Sequence, residues 1–141
     1  MITEQYVSLE IAVLLKDKGF NETCRAYWGG FNSKPLYLCE CNRGRAFDYC
    51  TNSSLKAYND DEQTYIAAPT HQMTLEWLRK TSWLNTYNLY DKWSNKWKCV
   101  IVSMDNREII KDNIALEISG FTSYEEATEA AILYCLKYLI K

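Results

Sequence analysis

Apolar residues recur with helical spacing in three segments of the chain, so we predict three helices. The first spans Ser8–Lys18, with Ser8 as the N-cap and Gly19 just after its end. The second begins after Pro69, and the third follows Ser123, which forms a capping box with Glu126. The stripe predicted to be buried in the second helix is Met73, Trp77 and Leu78. The residues predicted to share one face of the third helix are Ala127, Ala131, Tyr134 and Tyr138.

Alternating apolar and polar positions predict strands between these helices. Residues 36–50 are predicted to form a hairpin around the turn NRGR, residues 51–64 a loop, and residues 108–118 a strand. The element order is therefore helix, hairpin, helix, three strands, helix. It predicts an α+β fold in which an antiparallel sheet of about three strands and a separate N-terminal hairpin pack against three helices. A length of 141 residues suits a single domain, residues 1–141.

The central segment TYNLYDKWSNKWKCVIV, residues 86–102, is predicted to fold back on itself. A two-residue turn at its middle would place Asp91 opposite Lys98 and Leu89 opposite Val100. One charge pair and two apolar pairs then coincide, which supports this register. The residues predicted to point inward are Tyr87, Leu89, Val100 and Val102.

Aromatic content changes the interpretation of this hairpin, because the chain has five Trp, eleven Tyr and four Phe residues. The segment Arg79–Lys98 also carries five basic residues against one acid. The predicted register sets Lys92 beside Trp97, where a cation–π contact would brace the sheet. Alternatively, the aromatic rings would stack on bases or sugar rings, with lysines reaching phosphates. The candidate binding residues are Tyr90, Lys92, Trp93 and Trp97.

Six cysteines offer a second candidate chemistry. Cys39 and Cys41 share one face of the first predicted hairpin strand, and Cys50 falls on the same face of its partner. With Cys24 as a fourth ligand, four thiolates would hold a structural zinc. The spacing C-x14-C-x-C-x8-C lacks the paired knuckles of zinc sites, so small reduced thiols filling a strand face are the alternative. We expect no other cofactor.

Charge and motifs exclude several function classes. A net charge of −2 gives the whole molecule no strong attraction to nucleic acid or to anionic membranes. The first residues lack the pattern of a signal peptide, and no apolar run reaches the length of a membrane span. We therefore expect a cytoplasmic protein with reduced thiols and no membrane partner. His71 is predicted to be a surface residue, and no catalytic set is recognisable, so we expect a non-enzymatic protein.

Two resemblances add context. From Met73 onward the element order resembles a double-stranded-RNA-binding domain, whose last helix begins with lysines that contact phosphates. Here the matching segment, residues 123–127, carries two glutamates, which would repel a phosphate backbone. The segments YVSLEIAVLLKDKGF, APTHQMTLEWLRK and SYEEATEAAILYCLKYLI resemble a family of small uncharacterised proteins of gut anaerobic bacteria and of their phages and prophages. That resemblance implies a mobile-element context and no particular activity.

Three hypotheses about function follow from these patterns. The first is an interaction module of phage or prophage origin, which binds another protein or associates with itself. The second is a nucleic-acid-binding accessory protein that uses the basic and aromatic face of Arg79–Lys98. The third is a small domain stapled by zinc.

Overall fold

Two three-stranded antiparallel sheets and four α-helices make up the part of the chain that the computed structural model describes, residues 5–41 and 48–140. The α+β class predicted from the sequence is confirmed. The elements in chain order are α1 (Leu9–Asp17), β1 (Ala26–Phe31), β2 (Tyr37–Glu40), α2 (Asn52–Leu55), a 3₁₀ turn (Lys56–Tyr58), β3 (Gln63–Ala67), α3 (His71–Ser82), β4 (Leu84–Asp91), β5 (Lys96–Ser103), β6 (Ala115–Phe121), and α4 (Tyr124–Tyr134) with a π-helical turn (Cys135–Leu139).

The chain divides into two compact units, Met1–Thr70 and His71–Lys141. In the first unit, β1 lies between β2 and β3. Helix α1 begins as predicted, because the Ser8 hydroxyl accepts a hydrogen bond from the Ile11 amide at 3.4 Å. The left-handed backbone of Gly19 (φ +89°) follows the helix end, at a position that favours glycine. Among the described residues of this unit, the largest buried side chains are Ile11, Leu15, Phe20 and Leu55.

The predicted hairpin at residues 36–50 is wrong. Strand β2 pairs with β1, which precedes it, and Cys50 forms an isolated bridge with Cys24. The predicted NRGR turn lies outside the described residues. The predicted loop at 51–64 is also wrong, because this stretch contains α2, a 3₁₀ turn and the start of β3. Long-range hydrogen bonds hold the start of α2 in place. The Asn52 side chain donates to the Phe20 carbonyl at 2.8 Å and accepts from the Ala67 amide at 2.9 Å.

In the second unit, β5 lies between β4 and β6, and both α3 and α4 pack against the sheet. The last strand lies further along than predicted, at Ala115–Phe121 instead of residues 108–118. In α3, Leu78 is buried as predicted, whereas Met73 and Trp77 are only half-buried. None of the helices in the described part of the chain combines the length and apolarity needed to cross a bilayer.

Helix α4 starts as predicted, because the Ser123 hydroxyl accepts from the Glu126 amide at 3.0 Å. The Glu126 carboxylate, however, accepts from the Thr122 hydroxyl at 2.6 Å. Of the residues predicted to share one face, Ala127 and Ala131 are buried, whereas Tyr138 is 70% exposed. The buried face is formed by Ala127, Thr128, Ala131, Ile132, Cys135 and Leu136.

Candidate interaction surface

The hairpin of β4 and β5 forms as predicted, but in a different register. Leu89 lies opposite Lys98 and not Val100, and Asp91 lies opposite Lys96 and not Lys98. The predicted pairs are therefore wrong by two residues, because the connection is a four-residue turn and not a two-residue turn. A shift of two residues does not change which side chains share a face of the sheet, since side chains alternate with a period of two.

The inward face of the hairpin is the opposite of the one predicted. Helix α4 lies against the face that carries Asn88, whose side-chain amide donates to the Thr128 hydroxyl at 2.8 Å. By strand alternation, Tyr87, Leu89 and Val100 lie on the other face. Tyr87 is 46% exposed and Leu89 is 42% exposed, although Val100 is buried. The prediction that Tyr87 and Leu89 point inward is wrong, because the position of α4 decides which face is covered.

The four-residue turn, Lys92–Asn95, is ordered by its own hydrogen bonds. The Asp91 carboxylate accepts from the Trp93 amide at 3.0 Å, and this bond is the main reason why the pKa of Asp91 lies below its usual range. Asn95 adopts the left-handed conformation (φ +56°), which asparagine tolerates better than most residues. Its side-chain oxygen accepts from the Tyr90 hydroxyl at 3.1 Å. The turn therefore holds a defined backbone conformation.

A row of three aromatic rings runs from the hairpin to the start of α4. The ring centroids of Tyr90 and Trp97 are 5.1 Å apart, and those of Trp97 and Tyr124 are 5.2 Å apart in an edge-to-face arrangement. Both separations are typical of favourable aromatic pairs. Trp97 is half-buried at the centre of this row, so it braces the hairpin against the helix.

Trp93 lies outside this row, within the four-residue turn. Its side chain is 87% exposed, the largest exposure among the large apolar residues of the described chain. The Lys92 ammonium lies 5.6 Å from the centre of its ring, within the range of a cation–π contact. The predicted register sets Lys92 beside Trp97, whereas in the structure Lys92 contacts Trp93. We call residues 90–97 the hairpin tip.

Two of the basic side chains in the segment Arg79–Lys98, one at the end of α3 and one in β5, are neutralised by ion pairs. Lys98 forms an ion pair with Glu117 at 3.4 Å, and Lys80 forms one with Glu76 at 2.9 Å. Exposed ion pairs contribute little stability, but they reduce the positive charge that a phosphate would meet. Of the four candidate binding residues, the structure places Tyr90, Lys92 and Trp93 at the surface and Trp97 mostly inside.

The four candidate metal ligands come only partly together. Cys24 and Cys50 lie opposite each other in an isolated bridge, and the Cys50 thiol donates to the Ala26 carbonyl at 3.3 Å. Cys39 lies opposite Tyr27 in the neighbouring strand pair. Within residues 5–41 and 48–140, no group of three or more Cys, His, Asp or Glu side chains is arranged to hold a metal ion.

His71 is not the surface residue that the sequence predicted. Its side chain is 12% exposed, and its Nε2 atom lies 2.9 Å from a carboxylate oxygen of Glu129. This contact joins the first residue of α3 to α4 within the second unit. It therefore has a structural role.

One pocket of about 370 Å³ opens beside Trp83, at the end of α3. Its most polar group is the Arg107 guanidinium, which pairs with the Asp105 carboxylate at 2.7 Å and donates to the Ser82 carbonyl. These groups satisfy one another, so the pocket presents no uncompensated charge to a ligand. The hairpin tip is the stronger candidate for contact.

Sequence reasoning missed three residues of this region. The alternating pattern predicts Tyr87 and Leu89 in the interior, and it does not identify Tyr124 as the support of Trp97. A signal for Tyr124 exists in its position directly after the N-cap Ser123, where an aromatic ring can pack back against the preceding strands. No signal in the sequence distinguishes the two faces of the hairpin.

Comparison with known proteins adds no family to this description: no family model, no curated protein and no solved structure matches the chain.

Proposed function

We propose that the protein is a non-enzymatic interaction module that binds another protein through the hairpin tip. The observation that carries this proposal is the 87% exposure of Trp93 on a turn whose backbone is fixed by hydrogen bonds. Tryptophan is the residue type most enriched among the few residues that dominate binding energy at interfaces. An ordered turn also loses little conformational entropy when it binds, which favours affinity.

The surroundings of Trp93 supply the other parts of a small interface. Tyr90 is half-exposed on one side of the hairpin, and Tyr87 and Leu89 are exposed on the other. Lys92 and Lys96 provide exposed charge at the rim. An apolar centre with a charged rim is the usual composition of a protein–protein contact.

Nucleic-acid binding is the second candidate, favoured by the exposed lysines beside an aromatic ring that could stack on a base. Two observations weigh against it: Lys80 and Lys98 are paired with carboxylates, and two glutamates begin α4 beside the aromatic row. Phosphate contacts strengthen as salt is lowered. Binding of single-stranded or double-stranded oligonucleotides at low salt that is lost in Lys92→Glu would replace the protein-partner proposal.

Affinity capture tests the proposal with three versions of the full chain. The tagged wild type, Trp93→Ala and Tyr138→Ala are each used to capture proteins from lysate of cells that express the chain naturally. Tyr138 is a matched control, because it is also a strongly exposed aromatic residue of the second unit but lies outside the hairpin tip. We expect a captured protein that Trp93→Ala loses at least tenfold and Tyr138→Ala retains. Equal capture by all three versions would contradict the proposal.

A further inference from the structure

Trp83 occupies a backbone position that usually belongs to glycine. It directly follows α3, which ends at Ser82, and its φ angle of +56° lies in the left-handed region. Glycine prevails at this position after a helix, because a side chain there carries a steric cost. The other non-glycine residues with positive φ in the described chain are Asn95, Asn106 and Asp112, which are residue types that tolerate this region. A bulky tryptophan at such a position requires a specific reason.

Hydrogen bonds on both sides of Trp83 hold this backbone in place. The Met104 amide donates to the Trp83 carbonyl at 2.7 Å, and the Arg107 guanidinium donates to the Ser82 carbonyl. Burial does not explain the tryptophan, because the residue is 54% exposed. A strained backbone that its surroundings enforce is typical of functional sites. The position therefore indicates a use for the exposed ring.

The Trp83 side chain lines the pocket of about 370 Å³ at the end of α3. This volume lies at the small end of the range for small-molecule sites, about 300–1,000 Å³, and suits a mono- or disaccharide. Thr81, Ser82, Asp105 and Arg107 line the same pocket. Polar groups around an aromatic ring favour a polar ligand that also has an apolar face.

Charge compensation in the pocket distinguishes neutral from charged ligands. The Arg107 Nε atom lies 2.7 Å from the Asp105 carboxylate, which also accepts from the Ser103 hydroxyl at 2.7 Å. These bonds from Ser103 and Arg107 hold the pKa of Asp105 below its usual range, so the carboxylate is ionised at neutral pH. The ion pair has no net charge, so neither an anion nor a cation gains an advantage here.

The pair nevertheless retains hydrogen-bonding capacity. Arg107 donates through Nε to Asp105 and through Nη2 to the Ser82 carbonyl, which uses only part of the N–H donors that a guanidinium carries. The Thr81 and Ser82 hydroxyls lie 3.3 Å apart, and a hydroxyl both donates and accepts. Donors and acceptors beside an exposed ring match a ligand whose own hydroxyls do both.

We propose that this pocket binds a neutral sugar, with one face of the sugar ring stacked on Trp83 and its hydroxyls hydrogen-bonded to Arg107 and Asp105. The stacking face consists of C–H groups, which bury apolar surface against the indole and are attracted to its negative face. Neighbouring sugar hydroxyls match the donor and the acceptor that a guanidinium and a carboxylate present side by side. The proposal does not depend on the protein contact proposed for the hairpin tip, because it uses different residues.

Saturation-transfer difference NMR of the full chain tests the proposal with the methyl glycosides of glucose, mannose, galactose and N-acetylglucosamine. We expect transfer to the ring C–H protons of at least one glycoside, with an affinity in the millimolar range. This affinity should not change with salt, since the ligand carries no charge. Trp83→Gly should weaken binding about tenfold or more, as the loss of a stacking ring does elsewhere.

Trp83→Gly should also keep the circular dichroism spectrum of the wild type, because glycine adopts the left-handed backbone readily. Tyr49→Ala is the control and should bind like the wild type, since Tyr49 is 66% exposed but does not line the pocket. A second measurement does not depend on the glycine variant folding. Of the five tryptophan indole N–H signals, the one that is missing in Trp83→Phe should shift when the glycoside is added to the wild type.

Four results would each overturn the proposal. The first is no transfer to any glycoside at concentrations far above the millimolar range, and the second is unchanged binding in a folded Trp83→Gly. The third is a shift of another indole signal while that of Trp83 stays in place. The fourth is a different ligand class: glucuronate that binds more tightly than the glucoside and is released by salt indicates an anion site, and adenosine that binds where no glycoside does indicates a site for a planar base.

Discussion

Replacing Trp97 by alanine should destabilise the second unit, whereas the same replacement at Trp93 should not. Trp97 is half-buried and makes two aromatic pairs, with Tyr90 at 5.1 Å and with Tyr124 at 5.2 Å. Each pair contributes about 0.5–1.5 kcal/mol beyond the area that it buries. Adding the partial loss of apolar burial, we expect Trp97→Ala to cost about 2–4 kcal/mol. Trp93→Ala removes a solvent-exposed ring and should change stability by less than about 0.5 kcal/mol.

Urea denaturation followed by far-ultraviolet circular dichroism measures both variants without relying on tryptophan fluorescence, which the substitutions themselves alter. The two variants control for each other, because each removes one tryptophan from the same hairpin. A double-mutant cycle of Trp97→Ala with Tyr124→Ala should give a coupling of about 0.5–1.5 kcal/mol. If Trp93→Ala lowers stability as much as Trp97→Ala does, the assignment of supporting and exposed rings is refuted.

Three further substitutions test other parts of the structure. Gly29→Ala should cost about 1–3 kcal/mol in thermal unfolding, because the new Cβ would lie 2.5 Å from a ring carbon of Tyr65 and force the ring to move. His71→Ala should cost about 1–2 kcal/mol by urea titration, since it removes the contact at 2.9 Å and leaves Glu129 without this partner. Burial raises the pKa of Cys135 from its usual 9.0 to about 12, so the folded state holds this proton while the unfolded state releases it. Stability should therefore fall as pH rises from 9 toward 12, by at most about 1.4 kcal/mol per pH unit from this group, and Cys135→Ala should show a shallower decline in alkaline urea titrations.

The three longer helices, α1, α3 and α4, are the most predictable part of the fold, because their signals are local. Ser8 and Ser123 cap the helices that follow them, and Gly19 ends α1. Strands β1 and β3 are not predicted by the alternating pattern. The sequence of β1, AYWGGF, contains two glycines, and β3 is stabilised by pairing with a strand more than thirty residues away. Such pairing is a tertiary property that short segments do not reveal.

The candidate site was partly predictable. Aromatic and basic composition indicates four candidate residues: the structure places Tyr90, Lys92 and Trp93 at the surface, whereas the fourth, Trp97, is half-buried. The predicted cross-strand pairs between β4 and β5 are wrong because the length of the turn sets the register. Alternation alone does not distinguish a two-residue turn from a four-residue turn. The covered face was wrong because it depends on where α4 packs, which no local pattern in β4 or β5 encodes.

The most direct test of the proposed function is photo-crosslinking from the hairpin tip in the cells that express the chain. A benzophenone-bearing amino acid replaces Trp93 in one version of the protein and Tyr138 in the other, since both positions are strongly exposed. We predict a discrete adduct with another polypeptide, or with a second copy of the chain, from position 93 and none from position 138. Absence of an adduct at position 93, or equal adducts at both positions, would contradict the claim that this turn is the contact surface.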